Sequence, residues 1–191
     1  MTPHRDDRER EDSPDARRPR QCEVIFDGSF RGKGWYPTEK TPEFFFRWMA
    51  GEQSATIELS VDRRADLEIL IYVPYIIDFD KWDALGFAVD GAPVAFVRDN
   101  TAVQQSVAMN YYTLRVPAAP DHRGLTELRI DAPFGGRPSL SDPRRLSIGV
   151  CRVVARPSPP PSVETARESL DAAVAAYLHA LGDLAPVRAA A

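Results

Sequence analysis

The feature that most constrains this chain is a succession of short apolar segments with a period of two. Between Cys22 and Val154 they follow one another with only turn residues in between. Ser54–Val61 is the clearest case: Ala55, Ile57, Leu59 and Val61 alternate with Thr56, Glu58 and Ser60. Successive side chains of an extended chain point to opposite faces, so this pattern is a half-buried strand. Leu67–Val73 puts Leu67, Ile69, Ile71 and Val73 on one face and Glu68, Leu70 and Tyr72 on the other. That strand is expected to be buried on both faces over part of its length. Leu125–Asp131 alternates again. Cys22–Phe26, Phe44–Met49, Leu85–Asp90, Val94–Arg98, Gln104–Met109, Tyr111–Val116 and Leu146–Val154 bring the set to about ten strands. Asp90-Gly91 supplies the positive φ of a tight hairpin, and Asp99-Asn100 and Asn110 read as further turns. No amphipathic helix separates the strands. Parallel pairing needs such crossovers, so the sheets should be antiparallel. The expected fold class is all-β: an antiparallel two-sheet sandwich of jelly-roll type over residues 22–156.

The flanks have a different texture. Residues 1–21 carry six arginines against six acidic residues and almost nothing apolar. Such a segment cannot bury enough surface to offset its chain entropy, which predicts a disordered N-terminal tail. Pro157-Ser-Pro-Pro-Pro161 reads as a stiff linker. Ser162 then stands at an N-cap position, and Val163, Ala166, Leu170, Ala173, Val174, Tyr177 and Leu181 recur at intervals of three and four. The spacing predicts a C-terminal amphipathic helix over 162–182, followed by a tail over 183–191. Its stripe needs cover. Val163, Leu170, Val174, Tyr177 and Leu181 would dock on the chain's own sandwich, on a partner protein, or on a second copy in an oligomer.

Composition excludes several roles. Twenty-four Lys and Arg against 28 Asp and Glu leave a net charge of −4, which is no polycation seeking nucleic acid. Seventeen prolines weigh against a mainly helical chain. The longest apolar run, Ile69–Ile77, is interrupted by Pro74 and falls short of the roughly 20 residues that cross a bilayer. The first twenty residues hold no apolar stretch of the signal-peptide kind. A cytoplasmic location with no membrane span is therefore expected, with Cys22 and Cys151 as buried thiols.

The residues that bear chemistry are few. His4, His122 and His179 share no metal-ligand spacing, and there is no nucleophile elbow or phosphate loop. Asp78, Asp80 and Asp83 alternate in one short stretch that offers oxygen ligands. Calcium is the ion such a loop would take, although Lys81 stands among the carboxylates; no other cofactor is indicated. The aromatic stretch says more. Gly34-Trp-Tyr-Pro-Thr-Glu39 is followed by Phe44-Phe-Phe-Arg-Trp48. Aromatic faces stack on the C–H face of a pyranose while polar groups meet its hydroxyl rim. Trp35, Tyr36, Glu39, Arg47 and Trp48 are thus candidate ligand contacts. Equally, the rings are ordinary sandwich core, with Glu39 and Arg47 paired across strands.

These motifs carry a resemblance. Gly34–Glu39, the Arg47-Trp48 pair, the Ala55–Val61 strand, the Asp90-Gly91 turn and the closing Pro138–Gly149 segment together resemble a β-sandwich accessory module. Such modules accompany bacterial glycosyltransferases and other polysaccharide-biosynthesis proteins. The resemblance spans residues 26–154 and brings no catalytic residue with it; Glu39, Arg47, Trp48, Asp142 and Arg145 match its motif positions. It implies a non-catalytic accessory or carbohydrate-recognition module in glycan biosynthesis, whose partner is a glycan or a protein of the glycosyltransferase pathway. The alternatives are a protein–protein scaffold docking through the C-terminal helix and a sandwich-fold sugar-modifying enzyme.

Overall fold

A computed structural model of the protein describes residues 18–51, 53–104 and 107–159. The expected helix over 162–182, with Val163, Leu170, Val174, Tyr177 and Leu181, and most of the N-terminal tail lie outside the described residues. In chain order the strands are β1 (Cys22–Ile25), β2 (Gly32–Lys33), β3 (Glu39–Lys40), β4 (Phe45–Ala50), β5 (Ser54–Leu59), β6 (Leu67–Val73) and β7 (Tyr75–Ile76). A short 3-10 helix, Phe79–Ala84, follows. Then come β8 (Gly86–Val89), β9 (Ala92–Pro93), β10 (Phe96–Gln104), β11 (Val107–Val116), β12 (Thr126–Asp131), β13 (Leu146–Val150) and β14 (Arg152–Pro157). Every pairing between them is antiparallel. The architecture is all-β and sandwich-like.

The strands form three ladders where two sheets are expected: β1-β14-β6-β11-β10, β2-β5-β12-β8-β9 and β3-β4-β13-β7. The extra sheet has a local cause. Pro74 separates β6 from β7, and proline has no N–H to give a ladder. Opposite it, Cys151 separates β13 from β14. The register nevertheless runs through unbroken: stepping back from Arg152↔Tyr72 by one residue on each strand reaches Gly149↔Tyr75 and Ile148↔Ile76 without a slip. The first and third sheets are therefore two stretches of one strand pair, bent at Pro74 and Cys151. The bend also shifts the facing. Val73 and Ile76 both reach the main core, as do Val150 and Val153.

The core lies between the first two sheets. Ile69, Ile71, Tyr112, Leu114 and Val153 from one meet Ile57, Leu59, Leu128, Ile130 and Phe87 from the other in one buried cluster. The alternation read in Ser54–Val61 is observed, with Ala55, Ile57, Leu59 and Val61 all buried. In β6 Leu70 and Glu68 are buried as well, so this strand is covered on both faces as expected. The hairpin at Asp90-Gly91 is present, with φ of 49° and 81°. Its second arm is only Ala92–Pro93, after which the chain crosses to the first sheet. Two expected turns are corrected. Asp99-Asn100 lies inside β10, where the register shifts between Asp99 and Ala102 as in a β-bulge, and Asn110 sits within β11, paired with Val73. At Asn110 the ladder takes up the backbone groups that a turn would otherwise have to satisfy, and at Asp99-Asn100 the strand resumes its pairing at Ala102.

Candidate functional site

The expected ligand residues divide between two faces of the third sheet. Trp35 bridges to Met49, and Met49 is fully buried. Trp35 meets Phe26 edge-on at 5.0 Å and Phe30 at 6.1 Å, and its indole N–H donates to the Thr56 carbonyl at 2.9 Å. That is a satisfied core tryptophan. Arg47 shares this side: its guanidinium lies 4.8 Å from the Phe30 ring centroid, and Nε donates to Thr38 Oγ1 at 2.8 Å. The Glu39–Arg47 pair considered from the sequence does not form, because the two side chains leave the sheet on opposite sides. Glu39 stands across from Phe46, not Arg47.

Tyr36, Glu39 and Trp48 share the outer face. The Tyr36 N–H donates to the Trp48 carbonyl, so the two residues stand side by side. Trp48 and Tyr75 lie nearly parallel, centroids 5.8 Å apart and planes at 29°. Phe46 packs 4.9 Å from Tyr75, and Phe44 lies 6.1 Å from both Phe46 and Tyr75. The rings pack around Phe46 and Cys151, and Tyr72 joins them from the neighbouring sheet. A glycine makes the packing close. A Cβ at Gly149 would come within 3.2 Å of Tyr75 Cβ and 3.3 Å of Phe46 Cδ2.

An ionic group borders these rings. Arg144 donates to Glu39 Oε1 at 2.7 Å and to both Asp142 oxygens at 2.7–3.1 Å. Its guanidinium also lies 5.5 Å from the Tyr36 ring centroid. Bidentate contact of this kind fixes a guanidinium in place. Hydrogen bonds from Arg144 hold the Asp142 carboxyl below the usual carboxylate value, and the two carboxylates push Arg144 higher still. Burial, with Glu43 nearby, raises the Tyr75 phenol. The arrangement is a set of half-buried ring faces beside a fixed, hydrogen-bonding rim, with the Cys151 thiol buried beneath the rings.

Of the residues that build this face, Phe44, Phe46, Tyr72, Tyr75 and Arg144 were not singled out in the sequence. Arg145, which was, donates instead to the Gly135 carbonyl. The Asp142-x-Arg144 spacing was a usable signal, since the Arg144 N–H closes a local turn on Asp142 Oδ1. Pro74 was the signal for Tyr75. The acidic stretch is arranged otherwise. Asp78 caps the 3-10 helix by accepting the Asp80 N–H, and Asp83 pairs with Arg98 at 2.9 Å. Among the described residues no group of three or more His, Cys, Asp or Glu is placed to hold a metal ion. Two clefts of about 320 and 410 Å³ lie elsewhere, one along β1 and one beside Gly86 and Asp131. Among the described residues no helix is long and apolar enough to cross a membrane. Compared with known proteins, the chain matches no family model and no curated sequence.

Proposed function

We propose that the protein is a non-catalytic carbohydrate-recognition module and that its binding site is the outer face of β4 and β7. The observation that carries this reading is the near-parallel Trp48–Tyr75 pair beside the Glu39–Arg144–Asp142 group. A pyranose has an apolar C–H face and a hydroxyl rim, so it needs a ring to lie on and charged hydrogen-bonding groups at the side. Trp48, Tyr75 and Tyr36 supply the rings; Glu39, Asp142 and Arg144 supply the rim. Glycan biosynthesis is the process we attach to it, on the motif resemblance that runs from Gly34 to Gly149. Within the sandwich-like frame we favour jelly-roll connectivity, because the chain changes sheet at most connections and its first and last strands pair. A cytoplasmic location belongs to the same reading. It is supported by two cysteines, Cys22 and Cys151, that form no disulfide.

The test is calorimetric titration of the full chain against a panel of neutral and acidic glycans. Binding that Trp48→Ala abolishes and Trp35→Phe leaves intact supports the proposal. A panel in which nothing binds overturns it.

A further inference from the structure

The aromatic face does not stop at the third sheet. Because the first and third sheets share one register through Pro74 and Cys151, their outer faces join. Tyr72 and Tyr75 both point outward despite their odd spacing, and both pack in the cluster around Cys151. Beyond Tyr72, on the adjacent strand, stands Tyr111, its directly paired neighbour. Tyr72 and Tyr111 lie tilted against each other, with centroids 5.9 Å apart and planes at 32°. Their surroundings repeat those of the first pair. The Arg152 guanidinium lies 5.4 Å from the Tyr72 centroid and pairs with Glu23 at 2.7 Å, and the Tyr111 hydroxyl donates to Asp99 at 2.8 Å. Two ring pairs of similar geometry, each with a fixed charged rim, thus lie along one continuous sheet surface.

The charges on this surface restrict what can lie there. Arg144 is held by Glu39 and Asp142, and Arg152 is held by Glu23. Asp99 borders Tyr111, and Glu43 is near enough to Tyr75 to raise its phenol. Six carboxylates, Glu68 among them, therefore border this face against four guanidiniums: Arg144, Arg152 and Arg156, each ion-paired, and Arg115 opposite Glu68. A ligand rich in carboxylate or phosphate would meet net negative potential, whereas hydroxyl donors would find acceptors. We propose that the face binds a neutral, extended glycan chain across two stacking subsites, Trp48–Tyr75 and Tyr72–Tyr111. This rests on the carbohydrate reading above and adds the charge class and the length of the ligand.

The experiment uses β-linked glucose oligomers of increasing length, whose equatorial hydroxyls leave both ring faces apolar, and uronic-acid oligomers of the same lengths. Titration of the full chain should show affinity rising about tenfold from a disaccharide to a chain long enough to reach both pairs, because the second contact is made intramolecularly. Uronic-acid oligomers should bind more weakly than their neutral counterparts. Tyr111→Ala should remove the gain in affinity from short to long oligomers; Tyr111→Phe should retain most of that gain. Length-independent binding, or tighter binding of the uronic acids, overturns the two-subsite neutral assignment while carbohydrate recognition stands. No binding of any glycan overturns both. The length and charge series on the unmodified protein decide the matter even where the alanine variant fails to fold.

Discussion

Trp35 and Trp48 belong to adjoining stretches of one sheet, yet they do opposite jobs. Trp35 stands across from Met49, one residue beyond Trp48, and that single step in phase turns it inward. There it is enclosed by Phe26 and Phe30, and its only polar atom is bonded to the Thr56 carbonyl. Trp48 turns outward, stacks on Tyr75 and remains half-exposed. Trp35 is half-buried like Trp48, but it packs edge-on against the main core and its N–H is already bonded, so its contribution is to stability. The outer region holds the same kinds of ring but leaves their faces accessible. Neighbouring aromatic residues in a β sequence are therefore not one feature: alternation assigns them to core and surface in turn.

The sharpest way to break this comparison is to truncate each tryptophan. Trp35→Ala is expected to cost about 3 kcal/mol, the low end for deleting a large aromatic, because the half-buried ring packs on Phe26 and Phe30 at the core and its N–H is bonded. Trp48→Ala is expected to cost about 1–2 kcal/mol, as its ring packs on Phe46 and Tyr75 in the small outer cluster rather than on the main core. Urea denaturation of both variants measures the difference, and equal losses would erase the distinction between the faces. Next in size is Gly149→Val. The new side chain meets Tyr75 and Phe46 at little more than 3 Å. An overpacking cost of about 1–3 kcal/mol is expected, with the tyrosine ring displaced. Glycan affinity should fall with it, read by titration beside the melting curve.

A third measurement compares the faces through their thiols. Cys22 packs against the inner core and Cys151 beneath the outer rings. Burial pushes their thiols above the ordinary thiol range, up to about 11 and about 12. A folded-state value above the unfolded one means stability is fully present below pH 9 and is lost as pH rises through 11 to 12. Thermal melts from pH 8 to 11 should show a progressive decline, weaker in Cys22→Ala, and native thiols should react slowly with an aromatic disulfide at pH 8. Rapid reaction of Cys151 would mean that the outer rings do not cover it. The smallest expected change is from Arg144→Ala. An ion group this exposed adds little stability. The hydrogen bonds that keep Asp142 ionised below its usual value are lost only as pH falls through that lowered value. Arg144→Ala should therefore leave the melting temperature nearly unchanged at pH 7 and act mainly on glycan affinity.

The legible parts of the fold were those in which one strand faces one core. Ala55, Ile57, Leu59 and Val61 announced their burial by alternation, and Asp90-Gly91 announced its turn by the need for positive φ. The illegible parts were those in which strands change role along their length. Tyr72 and Tyr75 differ by three positions, so strict alternation places them on opposite faces, and only the bend at Pro74 brings them together. Asp99-Asn100 has turn composition, yet the strand absorbs it as an irregularity in a long ladder. The candidate site was half readable. Tyr36, Glu39 and Trp48 were singled out on chemistry, whereas Arg144 reaches Glu39 from 105 positions away, a distance no local pattern spans.

The strand pair that bends at Pro74 and Cys151 has a further consequence for how the molecule responds to load. Tyr72 and Tyr75 stand on β6 and β7, and the β7–β13 pair beneath the rings continues as β6 and β14, inner strands of the first sheet. Unfastening the face therefore means unfastening the core, and the two should open as one cooperative unit in hydrogen exchange. A bound glycan, in turn, would tighten the whole domain by mass action rather than a single patch of it. The outer aromatic face and the core thus share one strand pair.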